Sequence, residues 1–217
     1  MTDVVPPKPR APLEGIPEDR TALIEKITPY LENTGWFRSA ASKTPVDARG
    51  RPLPWYTYAS IHFLGPRIKA DMSVFEFGCG NSTRWWAARA KSVDAVEHSP
   101  VWAVRMQEAT PDHINIRFVE LSTDGDYCRA AKALSKRFDV IVIDGRDRVN
   151  CAYNSLEALS GRGVVVWDNA NRPRYAEGLQ FLQDNGFKRI DFRSHGPINS
   201  AEGQTTVFYR EGNCLGI

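Results

Sequence analysis

Three things are scarce in this 217-residue sequence. No run of like charge stands out, since 28 basic residues are balanced by 26 acidic ones for a net charge of +2. A broad electrostatic footprint for nucleic acid is therefore not expected. No stretch approaches the roughly 20 apolar residues that span a bilayer, and the N-terminus MTDVVPPKPRAPLEGIPEDR lacks the apolar segment of a secretory leader. A cytoplasmic protein with no membrane partner is the expectation. The four cysteines, Cys79, Cys128, Cys151 and Cys214, share no CxxC spacing, which argues against a zinc site or a disulfide framework.

What the sequence does have is an alternation. Apolar, β-rich runs occur at 73–77, 93–97, 114–121, 139–144, 163–168, 188–192 and 205–209. Helix-like segments at 82–91, 99–109, 126–135, 150–159 and 174–184 separate the first six. Ser99-Pro100 reads as a cap followed by a first-turn proline, and Gly161 and Gly186 read as helix stops. The runs IVI and VVV are continuously apolar, as strands covered by helices on both faces require. Only a short stretch rich in glycine, proline and serine separates the last two runs, which predicts a final antiparallel strand. The expected architecture is α/β, a doubly wound, seven-stranded Rossmann-like sheet with an N-terminal helical extension.

Ahead of the sheet, residues 1–19 hold five of the 14 prolines and read as a disordered tail. Residues 20–71 read as a helical cap segment, with Leu23, Ile24, Ile27 and Leu31 at helical spacing, Pro29 as a kink or early stop, and 42–54 as a linker. Residues 72–217 read as the cofactor-binding domain. The aromatic stretch WYTY at 55–58 is either a lid over a ligand or a packed helix, and Trp85 and Trp86 read as packing.

The first run ends in VFEFGCGNST, with Gly78 and Gly80 placed to turn sharply and expose their N–H groups to a ligand. A dinucleotide fingerprint wants a third glycine where Thr83 stands. Glu76, two residues before Gly78, is ill placed beside a pyrophosphate but suits a ligand carrying ammonium and sulfonium groups. Glu97, at the end of the second run, stands where an acid accepts hydrogen bonds from ribose hydroxyls. The stretch E-x-G-x-G-x-S of residues 76–82 resembles motif I of the class I S-adenosylmethionine-dependent methyltransferases, over roughly residues 72–210. The resemblance implies S-adenosylmethionine as cofactor, with Glu76, Gly78, Gly80, Ser82 and Glu97 around it and Asp126 toward the adenine. Asp126 reads equally well as a helix-capping residue.

Asp144 and the pair Asp168-Asn169 end the fourth and fifth runs, and a set of two carboxylates and an amide oxygen suits Mg²⁺, Mn²⁺ or Ca²⁺. They resemble the metal set of the catechol and caffeoyl-coenzyme A O-methyltransferases, in which the metal lowers the acceptor hydroxyl's pKa. Alternatively, Asp144 shapes the pocket and Asp168 caps the next helix. Those families place a lysine as base near the fourth-strand aspartate, whereas this loop reads Asp144-Gly145-Arg146-Asp147-Arg148. Asp144, Asp147 and His195 are the candidate catalytic residues, and Arg146 and Arg148 either hold an anionic acceptor or pair with Asp147. The expected activity is methylation of an oxygen on a small molecule or glycan. The alternatives are a nicotinamide-dependent oxidoreductase and a non-catalytic interaction module.

Overall fold

The computed structural model describes residues 20–111 and 113–217. The proline-rich tail expected over 1–19 lies outside the described residues. The strands are β1 (Ser73–Phe77), β2 (Ser92–Glu97), β3 (Ile114–Phe118), β4 (Phe138–Ile143), β5 (Leu159–Asp168), β6 (Lys188–Ser194) and β7 (Gly203–Tyr209). They form one sheet in the order β3-β2-β1-β4-β5-β7-β6. β1 to β5 run parallel, and β7 lies antiparallel to both β5 and β6, as the short last connection requires.

The period of two along each strand builds two cores. Val74, Val140, Val142, Val164, Val166 and Val207 point to one face, where they meet Trp85, Trp86, Ala103 and Met106. Phe75, Phe77, Ile141, Ile143, Val165, Trp167 and Phe208 point to the other, against Tyr127, Cys151 and Leu179. The covering helices are α4 (Asn81–Ala87) and α5 (Pro100–Glu108) on the first face, and α6 (Asp126–Ala133), α7 (Arg148–Ser155) and α8 (Ala176–Asp184) on the second. A sheet buried on both sides needs no polar alternation, hence the continuous apolar runs. Ser99 caps α5 by accepting the Trp102 N–H, with Pro100 in the first turn, and Gly186 follows α8 in the left-handed region at φ +83°.

Gly161 departs from expectation: it lies inside β5, and the helix meant to stop there ends at Ser155, followed by a 3-10 turn. That helix also begins at Arg148 rather than Asn150, which turns the Arg148 side chain inward. Two further helices, α1 (Thr21–Thr34) and α2 (Trp36–Ser42), precede α3 (Tyr58–Leu64). Pro29 does not end α1, which continues to Thr34. Leu23, Ile24 and Ile27 keep their helical spacing yet remain exposed. Among the described residues all four cysteines are free, and no helix is long and apolar enough to cross a membrane.

The segment before β1 is tied to the far end of the sheet. Tyr58 N–H donates to His195 O (3.0 Å), and the Trp36 indole donates to Asn199 O (3.0 Å). A Cβ on Gly196 would lie 2.3 Å from the Tyr56 carbonyl oxygen, so the β6–β7 loop can press on this segment only with glycine there.

Candidate functional site

Two cavities open at the carboxyl ends of the parallel strands, where the strand order reverses between β1 and β4. The first, of about 210 Å³, is lined by Glu76, Gly78, Cys79, Ser82, Glu97, His98, Asp144, Gly145 and Arg146. The second, of about 470 Å³, lies beyond β4 and includes Trp55, Tyr56, Arg148, Asp168, Asn169 and Arg172 in its walls. Asp144 and Arg146 belong to both, so the cavities meet there.

The glycine loop is held in place by hydrogen bonds at both ends. Gly78 sits at φ +91°, and a Cβ there would come within 3.1 Å of Gly145 Cα, so the loops after β1 and β4 touch through two glycines. Gly78 N–H donates to Val96 O (2.8 Å). Gly80 differs, because a Cβ on it would meet nothing within 4 Å. The open space that it faces is where a ligand can approach the backbone. Thr83, in place of the third glycine of a dinucleotide loop, accepts the Gly80 N–H (3.0 Å) and donates its hydroxyl to Glu76 Oε2.

Glu76 is buried, and its Oε1 has no hydrogen-bond partner. Burial pushes its carboxyl up to about 8, against the easing effect of the Ser82 and Thr83 hydroxyls, while the charges of Asp144 and Glu97 raise it further. Glu97 is also buried but well used. Its Oε1 accepts the N–H groups of His98 and Ser99, both at 2.9 Å, and its Oε2 accepts the Cys79 N–H (3.2 Å). This carboxylate therefore links the glycine loop to the start of α5. Trp102 adds a second link, donating its indole N–H to Cys79 O (2.8 Å).

The second cavity has a different charge arrangement. Arg148, buried beneath it, donates to Asp144 Oδ1 (3.0 Å), Asp144 O (2.5 Å), Gly145 O (2.9 Å) and the Asp168 carbonyl. Burial raises the Asp144 carboxyl, and Arg148 opposes that rise. Burial, then the neighbouring Asp144 charge, pushes Asp168 up to about 8. Asp168 Oδ1 accepts the Thr205 hydroxyl (2.7 Å), whose oxygen in turn accepts the Thr57 N–H (3.1 Å). A short polar chain thus runs from the segment before α3 to the end of β5.

Among the sequence candidates, the structure gathers Glu76, Gly78, Ser82, Glu97 and Asp144 around the first cavity, and Asp144, Asp168 and Asn169 around the second. Four candidates line neither cavity, Gly80 among them, its N–H already donated to Thr83. Asp126 is exposed in the first turn of α6 and lines neither cavity; Gly125 is the N-cap and no side chain caps the helix, so Asp126 contributes there only a favourable charge at the helix start. Asp147 sits at φ +48° before α7, where Oδ2 accepts the Asp124 N–H (2.9 Å) and Oδ1 the Asn150 amide (2.8 Å). It ties loops together and lines neither cavity. The His195 ring packs edge-on against Tyr58, with centroids 5.3 Å apart, and lines neither cavity.

The proposed metal set gains no support. Asp144, Asp168 and Asn169 do line one cavity, but the Arg148 guanidinium already sits on Asp144. A resident cation satisfies the charge that a divalent ion would have to neutralise, so these residues do not fit Mg²⁺. Sequence reasoning missed the inward turn of Arg148 and the Thr57–Thr205–Asp168 chain. No local pattern signalled the former, because Asp144 lies in the loop after β4 and only the start of α7 at Arg148 brings the two side chains together.

No family model and no curated protein matches the chain. Solved structures do. An O-methyltransferase from Bacillus cereus in complex with SAH superposes with a TM-score of 0.56, at 19% identity over 91% of this chain and 94% of that one. This is the fold of the class I methyltransferases. Precorrin-6y C5,15-methyltransferase from Geobacter metallireducens GS-15 gives a TM-score of 0.54 at 14% identity, covering 70% of this chain and 87% of that one. A methyltransferase-like protein from Silicibacter pomeroyi DSS-3 gives 0.53 at 20%, covering 73% and 89%. The class I methyltransferase fold explains why both cavities open on the carboxyl edge of the sheet, and the residues lining them must carry any reading of activity.

Proposed function

We propose that the chain is an S-adenosylmethionine-dependent methyltransferase that acts on an oxygen of a small molecule or glycan. The observation that carries this reading is Glu76 Oε1, a buried carboxylate oxygen with no protein partner in a cavity whose walls also hold Glu97 and Asp144. A cationic ligand would favour the charged form of Glu76, which burial alone disfavours, whereas a pyrophosphate would be opposed by the acids Glu97 and Asp144. That opposes the nicotinamide alternative, as does Thr83 at the third glycine position. S-adenosylmethionine supplies an electrophilic methyl group on a sulfonium when bound. Glu76 would take its ammonium group, Gly80 would leave room for the nucleoside, and Glu97 would accept from the ribose hydroxyls.

The chain's own contribution to chemistry is orientation and proton removal. The two cavities meet at Asp144 and Arg146, so an acceptor in the second faces the first across β4. Asp168 replaces Asp147 and His195 as the base: it lines the acceptor cavity, and its carboxyl, near 8, is far better suited to take a hydroxyl proton than an ordinary carboxylate at about 4. The amides and carboxylates around it suit a hydroxylated acceptor. Calorimetric titration with S-adenosylhomocysteine and, separately, with NAD tests the cofactor. Micromolar binding of the former and none of the latter is expected, and the reverse would overturn the reading.

A further inference from the structure

Six charged side chains line the second cavity: Asp144, Asp168, Glu202, Arg146, Arg148 and Arg172. Their nominal charges cancel, but their engagements do not. Arg148 is consumed by Asp144 and by three backbone carbonyls. Asp168 is buried and hydrogen-bonded to Thr205. Arg146 and Arg172 stand in contrast: among the described residues neither guanidinium has a side-chain hydrogen bond or a salt bridge, and the charge of each reaches Asp144 only at longer range. Arg146 is carried by the loop after β4 and Arg172 by the loop after β5, so the two reach the same cavity from neighbouring strand ends. Trp55, 49% exposed, offers a ring face in the wall of the same space, where a bound sugar or other flat ligand can stack.

We infer that the acceptor carries an anionic group, a carboxylate or a phosphate, held between Arg146 and Arg172 with its reacting hydroxyl turned toward the junction at Asp144. A guanidinium presents paired N–H donors that match the oxygens of either anion, and two of them on separate loops fix orientation as well as charge. Glu202, exposed at the rim, disfavours anions that bind without entering the cavity. The inference rests on the methyltransferase reading, because it uses the acceptor side of that reaction.

The test is nuclear magnetic resonance of the arginine Nε–H groups in the full chain saturated with S-adenosylhomocysteine, titrated with inorganic phosphate and, in a second series, with acetate. Arg146 and Arg172 are expected to shift together and saturably, while Arg84, exposed on α4, drifts linearly. The series with the tighter saturation identifies the anion class. Arg172→Gln, whose side chain lines the second cavity and not the first, should weaken that binding by about tenfold or more and leave S-adenosylhomocysteine affinity unchanged. Linear drift of all three arginines overturns the inference. So does an Arg146 signal that moves on S-adenosylhomocysteine alone and then ignores both anions, which would assign that side chain to the donor. Failure of S-adenosylhomocysteine itself to bind, seen in calorimetry, would instead remove the methyltransferase reading.

Discussion

The donor cavity and the acceptor cavity share an edge but are built by opposite means. The first, proposed donor cavity comes mostly from one strand–loop–helix stretch, residues 76–82, and the end of the next strand, with residues 144–146 closing it, and Glu76 Oε1 lies buried there without a hydrogen-bond partner. The acceptor cavity draws on residues between Trp55 and Gly203 and has its own cation, Arg148, built in. Local construction leaves a sequence signature, whereas assembly from distant segments leaves little. The difference also separates a site that waits for a positive ligand from one whose acids are already partly neutralised.

Breaking the internal cation should have the largest effect. Arg148→Met removes the partner of the partly buried Asp144 carboxylate and the donor to the backbone carbonyls of Asp144, Gly145 and Asp168, leaving one charge and three carbonyls unpaired. A stability loss of about 3–5 kcal/mol is expected in urea unfolding, of the size seen when one partner of a buried pair is removed. Asp144→Asn made with it should recover part of that loss. Turnover of the wild-type protein in excess EDTA should stay unchanged, because the guanidinium holds the position that a metal would need. Loss of turnover in chelator, restored by Mg²⁺, would break the contrast between the two cavities.

Next in size is a pH dependence that one buried acid from each cavity imposes on stability. Glu76 and Asp168 sit near 8 in the folded chain, above their ordinary values of 4.5 and 3.8, so folding takes up protons at both. Their contribution is full below about pH 4 and is lost as pH rises toward 8. The ligand-free protein should therefore lose on the order of 3 kcal/mol or more from these groups between pH 5 and 8, read from urea midpoints. Glu76→Gln should flatten part of that slope and weaken S-adenosylhomocysteine by about 1.5–3 kcal/mol, the worth of a hydrogen bond to a charged group. A slope unchanged in Glu76→Gln would mean that Glu76 is not the uncompensated acid.

How much of this was legible follows the same division. The seven strands, the antiparallel last strand and the acids at Glu76 and Glu97 could be read because each rests on a local pattern: apolar runs, glycine spacing, an acid at a strand end. Asp126, Asp147 and His195 could not be sorted from true site residues, because only the fold decides which way a loop side chain faces. Asp147 is turned by its own left-handed backbone into the Asp124 loop, and His195 is captured by Tyr58 from a segment more than 130 residues earlier. Asp168 was found at its strand end, but its character depends on burial and on Asp144, neither visible in sequence.

A smaller effect separates structure from chemistry in Glu97. Its carboxylate holds the N–H groups of Cys79, His98 and Ser99, so Glu97→Gln keeps acceptor oxygen but loses charge and one acceptor position. A loss of about 1–3 kcal/mol in S-adenosylhomocysteine binding is expected. The melting temperature should fall as well, because the glycine loop loses its tie to α5. Unchanged affinity in a folded variant would remove Glu97 from the nucleoside site.

The smallest stability change should come from Trp55, which parts company with its neighbour Tyr58. Tyr58 is buried against His195 and its backbone is tied to the β6–β7 loop, so Tyr58→Ala opens a void in the core and should cost about 3–5 kcal/mol, with activity falling alongside stability. Trp55 is half exposed in the acceptor cavity and carries little of the core. Trp55→Ala should change urea stability by less than about 0.5 kcal/mol, as exposed positions do. Its effect should appear in the acceptor KM instead, with S-adenosylhomocysteine affinity unchanged, because the ring bounds the second cavity and not the first. Equal losses of stability in the two variants would make the whole aromatic stretch packing, and the acceptor cavity would lose the one wall that the sequence had marked as a lid.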